Sequence, residues 1–308
     1  MLKTRIITAL ILASLVILTT IYFEPVWFLF VSSLFILVGI WEWFKLFLNR
    51  DMRDIYIIFL VFPILFILII WPSISFILSA SSIRIDFFQS SVIFYLFYLS
   101  VTFFWIIIAP SIIINYQKKL FTYHWSDLTI GPKGTLKNFF LGNCLLWGMW
   151  LTLVILLVKN PYILLFLFLI IWSADIAAYF SGKKYGKHSL ADNISPAKTW
   201  EGMVGGLTMG ILTAFLALHF FRDFLGIAMF QASPKKIILL TSATVIYSVI
   251  GDLFISIIKR ETGKKDSGVL IPGHGGVLDR IDSLMAGSVA FMFFGTLLGI
   301  FDYVHHGL

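Results

Sequence analysis

The chain has 308 residues, of which 59% are hydrophobic, 17% aromatic and only 13% charged. A soluble globular domain carries about 25% charged residues, so this composition excludes a soluble protein and predicts an integral membrane protein. The formal net charge of +7 does not indicate a nucleic-acid partner, because most cations lie in loops beside apolar segments, where anionic lipid head groups are their default partner. The single cysteine excludes an intrachain disulfide.

Apolar runs long enough to cross a bilayer, about 20 residues in a helix, recur along nearly the whole sequence. Their continuous apolar character is incompatible with the alternating strands of a membrane barrel. The predicted fold class is therefore all-α: a polytopic integral membrane protein with about nine transmembrane helices. The nine predicted segments are 6–22, 26–44, 55–72, 91–114, 138–158, 161–181, 203–221, 236–258 and 283–304.

The distribution of basic residues predicts the orientation of these segments. With the N-terminus inside, most of the 23 Lys and Arg residues fall on the cytoplasmic side, which favours an N-in, C-out arrangement. No repeat or linker divides the chain, so we predict one membrane domain. Its residues 1–135 form the N-terminal membrane helices, and residues 136–308 contain most of the long polar connections, which this orientation places at the cytoplasmic face.

The polar connection at 182–202 combines glycines, lysines and a Ser-Pro-Ala-Lys-Thr turn. Ser195 or Thr199 is predicted to cap the following helix, whose free N–H groups suit an anion. Lys198 lies between the turn and the helix start, where a cation makes a natural phosphate contact. Lys183 and Lys187 are weaker candidates, because the positive-inside rule alone accounts for them about as well.

Acidic residues near predicted membrane segments are few and costly to bury, which marks them as functional candidates. Asp175 lies within the segment 161–181, and Asp252 lies near the cytoplasmic end of 236–258. Asp279 and Asp282 are three residues apart at the start of the last segment and share a helix face. Charge complementarity with the helix N-terminus would account for one of them.

The most informative stretch is SIIKRETGKKDSGVLIPGHGGVLDRID, residues 256–282. Its cations, carboxylates and glycines predict a phosphate-and-metal site at a membrane surface. Oxygen ligands without clustered Cys and His favour Mg²⁺ over zinc, with Asp252, Asp279 and Asp282 as candidate ligands. His274 is a general base, a phosphate donor or a turn residue. The candidates for binding a nucleotide phosphate or its metal are Lys183, Lys187, Ser195, Lys198, Thr199, Lys265, Asp266, Gly275, Gly276 and Arg280.

This stretch closely resembles the signature of the phosphatidate cytidylyltransferase family, the CDP-diacylglycerol synthases. The segments ADIAAYFSGKKYGKH and SPAKTWEG are similar to other recurring stretches of that family, so the resemblance covers roughly residues 165–300. It implies cytidylyl transfer from CTP to phosphatidate, forming CDP-diacylglycerol and pyrophosphate on the inner leaflet. Residues 136–308 would then be the catalytic region, with active-site loops at the cytoplasmic face of the cytoplasmic (inner) membrane, and residues 1–135 would be a candidate lipid-groove or dimer region. The resemblance further implies a homodimer, dependence on a divalent metal with a second, monovalent ion such as K⁺, and metal ligation by Asp252 and Asp279.

We therefore expect the CTP phosphates to bind Mg²⁺, with nearby cations neutralising their charge and Asp175 completing the ion site or fixing a basic residue. The candidate catalytic residues are Asp252, Asp279, Lys198, Lys259, Arg260, Asp175 and His274. The chain departs from the family pattern at Ile255, where Glu is common, and mildly at Ala197, where Gly is common. The alternatives are a CTP-dependent polyprenol or phytol kinase and an ion-coupled transporter, the latter disfavoured because the acids gather at one surface.

Overall fold

The computed structural model describes residues 2–47, 92–119, 132–227, 232–270 and 275–301. Within those ranges the protein consists of helices and short connections, and an isolated bridge joins Ser189 to Thr199. The all-α prediction is therefore confirmed for the described residues. The helices are α1 Leu2–Ile21, α2 Pro25–Phe47, α3 Val92–Phe103 continuing through a π-helical turn into Ala109–Gln117, α4 Pro132–Lys159, α5 Pro161–Tyr185, α6 Trp200–Asp223, α7 Pro234–Glu261 and α8 Leu278–Leu297.

Six helices of the described residues are long and apolar enough to cross a membrane. They are α2, the continuous helix α3 from Tyr95 to Gln117, α4, α5, α6 and α7. The predicted segment 55–72 lies outside the described residues. The count of nine spans and the N-in, C-out orientation stay predictions.

A glycine face allows α6 to pack closely against α5. Gly202 and Gly206 lie so near the Ala178 and Ala174 carbonyl oxygens that an added Cβ would approach those oxygens to 2.9 and 3.0 Å. Small residues at four-residue spacing let two membrane helices approach closely, because the backbones meet without intervening side chains. This packing places the N-terminus of α6 beside the C-terminal half of α5, which carries Asp175.

The second close crossing joins α7 to α8. A Cβ on Gly251 would collide with the Asp282 carbonyl oxygen and come within 3.1 Å of Ala286 Cβ. The crossing therefore brings Asp252, the next residue of α7, beside the first turns of α8. A core of buried residues from α2, α4, α5, α7 and α8, including Trp43, Phe166, Phe254 and Phe291, supports both crossings.

Candidate active site

An ion pair between Lys259 of α7 and Asp279 of α8 lies where these two helices cross. The charged residues around this crossing are called the polar region below. Lys259 Nζ is 2.7 Å from Asp279 Oδ1, and the side chains are only 11% and 6% exposed. The other carboxylate oxygen, Asp279 Oδ2, accepts hydrogen bonds from Ser267 N at 2.8 Å and Gly276 N at 3.0 Å. Three donors thus converge on Asp279, and about one of the four acceptor positions of a carboxylate remains.

A second ion pair joins the 186–199 connection to α7. Lys198 Nζ is 2.6 Å from Asp252 Oδ2, with side chains 25% and 30% exposed, and Ser256 Oγ donates to Asp252 Oδ1 at 3.3 Å. The two charges are accessible enough to meet a substrate. Asp252 lies beside the first turns of α8. Its ion pair with Lys198 therefore brings the polar connections 182–202 and 259–282 close together.

Backbone hydrogen bonds within the 186–199 connection hold Lys198 in a position from which its side chain reaches α7. The connection folds back on itself, since Leu190 N donates to Lys198 O at 2.7 Å and Trp200 N donates to His188 O at 3.0 Å. Thr199 Oγ1 then accepts from Gly202 N at 3.1 Å and caps α6. The predicted cap at Thr199 is confirmed, whereas Ser195 uses its backbone carbonyl to accept from Lys198 N within the turn.

Asp282 and Asp175 complete a group of carboxylates around Asp252. Asp282 is buried and interacts electrostatically with Asp252, Lys259 and Lys198. The hydrogen bond that it accepts comes from the adjacent Ser283 N at 2.8 Å. Asp175 is exposed on α5 and interacts electrostatically with Asp252 and Lys198. The buried Asp282 and the half-buried Asp252 thus repel each other, and among the described residues each accepts from fewer donors than Asp279 does.

Glu42 of α2 is a polar residue of this region that the sequence reasoning missed. It is fully buried, and its carboxylate accepts from Ser267 Oγ at 2.8 Å, Val277 N at 3.0 Å and Leu278 N at 2.8 Å. The signal that would have found it is an acid within an apolar segment, the same signal that drew attention to Asp175. The first half of the chain therefore contributes directly to the polar region.

The loop after α7 is also attached to the C-terminal end of α2. Lys264 Nζ donates to the carbonyl oxygens of Lys45 and Leu46, the latter at 3.2 Å. Cations at a helix C-terminus interact favourably with its free carbonyls and its dipole. Burial and the nearby Lys45 ammonium lower the pKa of Lys264.

The remaining sequence candidates are spread around this centre. Arg260 is exposed and its Nε donates to Ile194 O at 3.4 Å, which links α7 to the 186–199 connection. Arg280 is exposed and interacts electrostatically with Asp175. Gly275 adopts a positive φ of 82° that favours glycine. His274 lies outside the described residues. Four further candidates have exposed side chains and form no ion pair in the described part of the chain: Lys183, Lys187, Lys265 and Asp266.

Gly276 and Ile255 have packing environments that bear on the sequence expectations. The Gly276 N–H is already donated to Asp279, so in this structure it serves the loop itself. Ile255 is fully buried in the apolar core. Ile255, which stands where the family commonly has Glu, is therefore well packed in an apolar environment, and this position carries no charge that would need a partner.

The acids of this site fit magnesium by their chemistry. Among the described residues, no group of three His, Cys, Asp or Glu side chains is arranged to hold a metal ion. Mg²⁺ does not require one, because it commonly takes one or two carboxylates and completes its shell with water and substrate phosphate. Asp252 and Asp282, adjacent and mutually repulsive, provide two such carboxylates.

Comparison with known proteins places these residues in a family context. The family model described as "Cytidylyltransferase family" matches residues 3–298. Relatives named phosphatidate cytidylyltransferase include proteins of Haemophilus influenzae, 49% identical over 133 residues, and Brucella suis, 42% identical over 136 residues. These matches cover 43% and 44% of this chain and 45% and 47% of the relatives. The chain therefore spans less than half the length of the curated relatives it matches.

Proposed function

Since the chain belongs to the cytidylyltransferase family, we propose that it transfers a cytidylyl group from CTP to phosphatidate, forming CDP-diacylglycerol and pyrophosphate. The observation that carries the proposal is the pair of ion pairs, Lys198–Asp252 and Lys259–Asp279, at the crossing of α7 and α8. Cations beside carboxylates suit a nucleoside triphosphate with its metal, because each phosphate needs neutralising charge and the metal needs oxygen ligands. The names of the similar proteins support the choice of substrates.

The acids are assigned by their remaining acceptor capacity. Asp252 and Asp282 would hold Mg²⁺, and Asp279 would add its one remaining acceptor position or exchange the Lys259 ammonium for the ion. When bound, Mg²⁺ would polarise the phosphate oxygens and neutralise charge that develops on pyrophosphate. A second, monovalent ion such as K⁺ would suit the third carboxylate of the group, Asp175.

The cations position the triphosphate and stabilise the leaving group. Lys198 is the most accessible cation of the two ion pairs, so its ammonium can turn from Asp252 to a phosphate oxygen without unfolding its loop. Lys259, Arg260 and Arg280 would supply further positive charge around pyrophosphate. Exposed Lys183, Lys187 and Lys265 would attract the anionic nucleotide towards the site.

The reaction itself needs little proton transfer. A phosphatidate phosphate oxygen attacks the α-phosphorus of CTP, an O–P bond forms, and the bond from the α-phosphorus to the bridging oxygen breaks as pyrophosphate leaves. Because the attacking phosphate is already anionic near neutral pH, positioning the two phosphates in line provides most of the acceleration. No residue of the described site is required as a general base.

The membrane setting is part of the proposal. We place the catalytic loops at the cytoplasmic face of the inner membrane, in a chain with nine spans, an N-in, C-out orientation and a homodimeric assembly. The excess of Lys and Arg in the 182–202 and 259–282 connections supports this orientation. Membrane lipids would surround the apolar outer surfaces of α5 and α6, where Ile176, Phe180 and Val204 are exposed.

The test uses the detergent-purified protein with phosphatidate, Mg²⁺ and CTP labelled at the α-phosphate. We expect label in the organic phase together with pyrophosphate release. Asp252→Asn should reduce transfer at least 100-fold, because it removes a metal ligand and the partner of Lys198. Asp192→Asn, which changes an exposed aspartate in the 186–199 connection, is the matched control and should retain wild-type activity.

The products separate this proposal from its alternatives. A CTP-dependent lipid kinase would leave CDP and transfer no α-phosphate label, and a transporter would give neither product. Wild-type protein that releases CDP, or that labels no lipid over a range of phosphatidates and divalent ions, would refute cytidylyl transfer. Equal activities of Asp252→Asn and Asp192→Asn would refute the assignment of the site.

A further inference from the structure

We infer that Glu42 of α2 is a positioning residue of the active site, which holds the catalytic loop in place from the first half of the chain. This inference rests on the proposed function for its activity readout. The carboxylate accepts hydrogen bonds from two parts of the loop between α7 and α8: from Ser267 Oγ, and from Val277 N and Leu278 N where α8 begins. One side chain thus fastens two points separated by ten residues along the sequence.

Glu42 also replaces a missing helix cap. The N-cap residue of α8 is Val277, which makes no side-chain capping bond. The first N–H groups of a helix need acceptors and favour negative charge. Glu42 supplies both from another helix, and among the described residues no Lys, Arg or His forms an ion pair with it. Its negative charge is held instead by hydroxyl and backbone donors.

Two glycines of the loop, Gly268 and Gly276, lie against the Glu42 carboxylate. A Cβ on Gly268 would collide with Glu42 Oε1, and a Cβ on Gly276 would collide with both Glu42 Oε2 and Ser267 Oγ. A side chain at either position would have to displace the buried carboxylate that α2 contributes to this space. The fit indicates a specific docking of α2 into the loop.

A continuous chain of contacts leads from Glu42 to the reacting region. Ser267 donates its hydroxyl to Glu42 and its N–H to Asp279 Oδ2. Asp279 in turn holds Lys259 through its other oxygen. Moving Ser267 would therefore move Asp279 and its ion pair. A displacement of about 1 Å at a catalytic group costs on the order of 100-fold in rate, so this contact is expected to affect turnover.

Lys264 reinforces the same attachment. It donates to the last carbonyls of α2, at Lys45 and Leu46, about one turn beyond Glu42. The segment from Glu42 to Leu46 therefore holds the loop by a carboxylate on one turn and by backbone carbonyls on the next. This gives the N-terminal helices a role in catalysis that the resemblance, which begins near residue 165, does not assign.

The decisive variant is Glu42→Gln, which keeps the size of the side chain but replaces one acceptor oxygen with an NH₂ donor. Ser267 Oγ and Leu278 N share Oε2, while Val277 N binds Oε1, so either orientation of the amide leaves one backbone N–H facing a donor. We expect a loss of at least tenfold in kcat at saturating CTP and Mg²⁺, with the KM for phosphatidate within twofold of wild type. The matched control is Glu261→Gln at the end of α7, because the one hydrogen bond that Glu261 accepts among the described residues comes from Tyr116 Oη, and an amide oxygen can accept that bond.

Hydrogen exchange supplies a readout that does not depend on activity. Peptides covering Ser267 and the start of α8 should exchange at least tenfold faster in Glu42→Gln, and should be unchanged in Glu261→Gln. If the wild type proves inactive with CTP and phosphatidate, the proposed function fails. Faster local exchange in Glu42→Gln would still support the inference that Glu42 holds the loop, and unchanged exchange would overturn it. Wild-type kcat in a Glu42→Gln protein that shows faster exchange would overturn the positioning role.

Ser267→Ala gives a second and milder route to the same answer. It removes the hydroxyl donated to Glu42 but keeps the N–H donated to Asp279. If Glu42→Gln does not purify as a folded protein, at least threefold loss of kcat with faster exchange in Ser267→Ala supports the inference, and wild-type behaviour overturns it. If both fold, their combined effect on kcat should be smaller than the product of the single effects, because both act through one contact. Multiplicative effects would overturn a shared route.

Discussion

Asp279→Asn and Asp282→Asn should have different consequences, although the two residues lie one helical turn apart. Asp279 accepts from Lys259 Nζ, Ser267 N and Gly276 N, so it is primarily a holder of the loop and of a cation. Asp282 accepts only from the neighbouring Ser283 N in the described structure and faces Asp252. Removing the charge of Asp279 therefore breaks its ion pair with Lys259. Removing the charge of Asp282 relieves its repulsion with Asp252.

The magnitudes follow from burial and partners. In Asp279→Asn the 11%-exposed Lys259 side chain loses its counter-charge, and breaking a buried ion pair costs about 3–5 kcal/mol of stability. We expect at least a 100-fold loss of rate at saturating Mg²⁺, because Lys259 is no longer oriented. In Asp282→Asn a buried carboxylate near Asp252 disappears, so the metal-free protein should become more stable by on the order of 1 kcal/mol.

The assay combines a Mg²⁺ titration of label transfer with thermal unfolding in detergent. Asp282→Asn should raise the Mg²⁺ concentration for half-maximal rate at least tenfold and should raise the unfolding temperature measured without Mg²⁺. Asp279→Asn should lower both the maximal rate and that unfolding temperature, with a smaller shift in the Mg²⁺ dependence. Equal Mg²⁺ shifts in the two variants, with no difference in the sign of the stability change, would refute this division of roles.

Three further comparisons test the site. Lys198→Met should lower kcat/KM for CTP about 100-fold, while the exposed Lys183→Met should lower it less than threefold; similar losses would count against Lys198 as a phosphate contact. Thr199→Ala removes the cap of α6 and should cost about 1 kcal/mol, seen as a lower unfolding temperature; an unchanged temperature would contradict the cap. Gly276→Ala should abolish transfer because its Cβ meets Ser267 and Glu42, whereas Gly263→Ala, at a positive φ with open space around it, should cost only about 1 kcal/mol of stability; similar transfer by both would contradict the packing.

Much of the site was predictable because local signals mark it. Thr199 lies in a typical N-cap position before an apolar run, so its capping bond could be predicted from sequence alone. Asp175 is a candidate because an acid within a membrane segment is costly, and Asp252 and Asp279 are candidates because they flank the glycine-rich loop and match the aspartates of the family signature. The pairing of Lys259 with Asp279 and of Lys198 with Asp252 was not predictable. Each pair depends on which helices cross, and that depends on close approaches such as Gly251 against Asp282.

Glu42 shows most clearly why the rest could not be predicted. Its bonds to Val277 and Leu278 connect residues 235 and 236 positions apart, and nothing in the local pattern around Trp41 and Trp43 indicates a partner. A fully buried carboxylate is tolerated there because three donors satisfy it, since a buried charge without hydrogen-bond donors would destabilise the fold. The loop supplies those donors only when Gly268 and Gly276 leave room for the side chain. The glycines of the signature loop are therefore explained in part by an acid from a helix outside the signature, and a change at Glu42 should be felt first at Asp279.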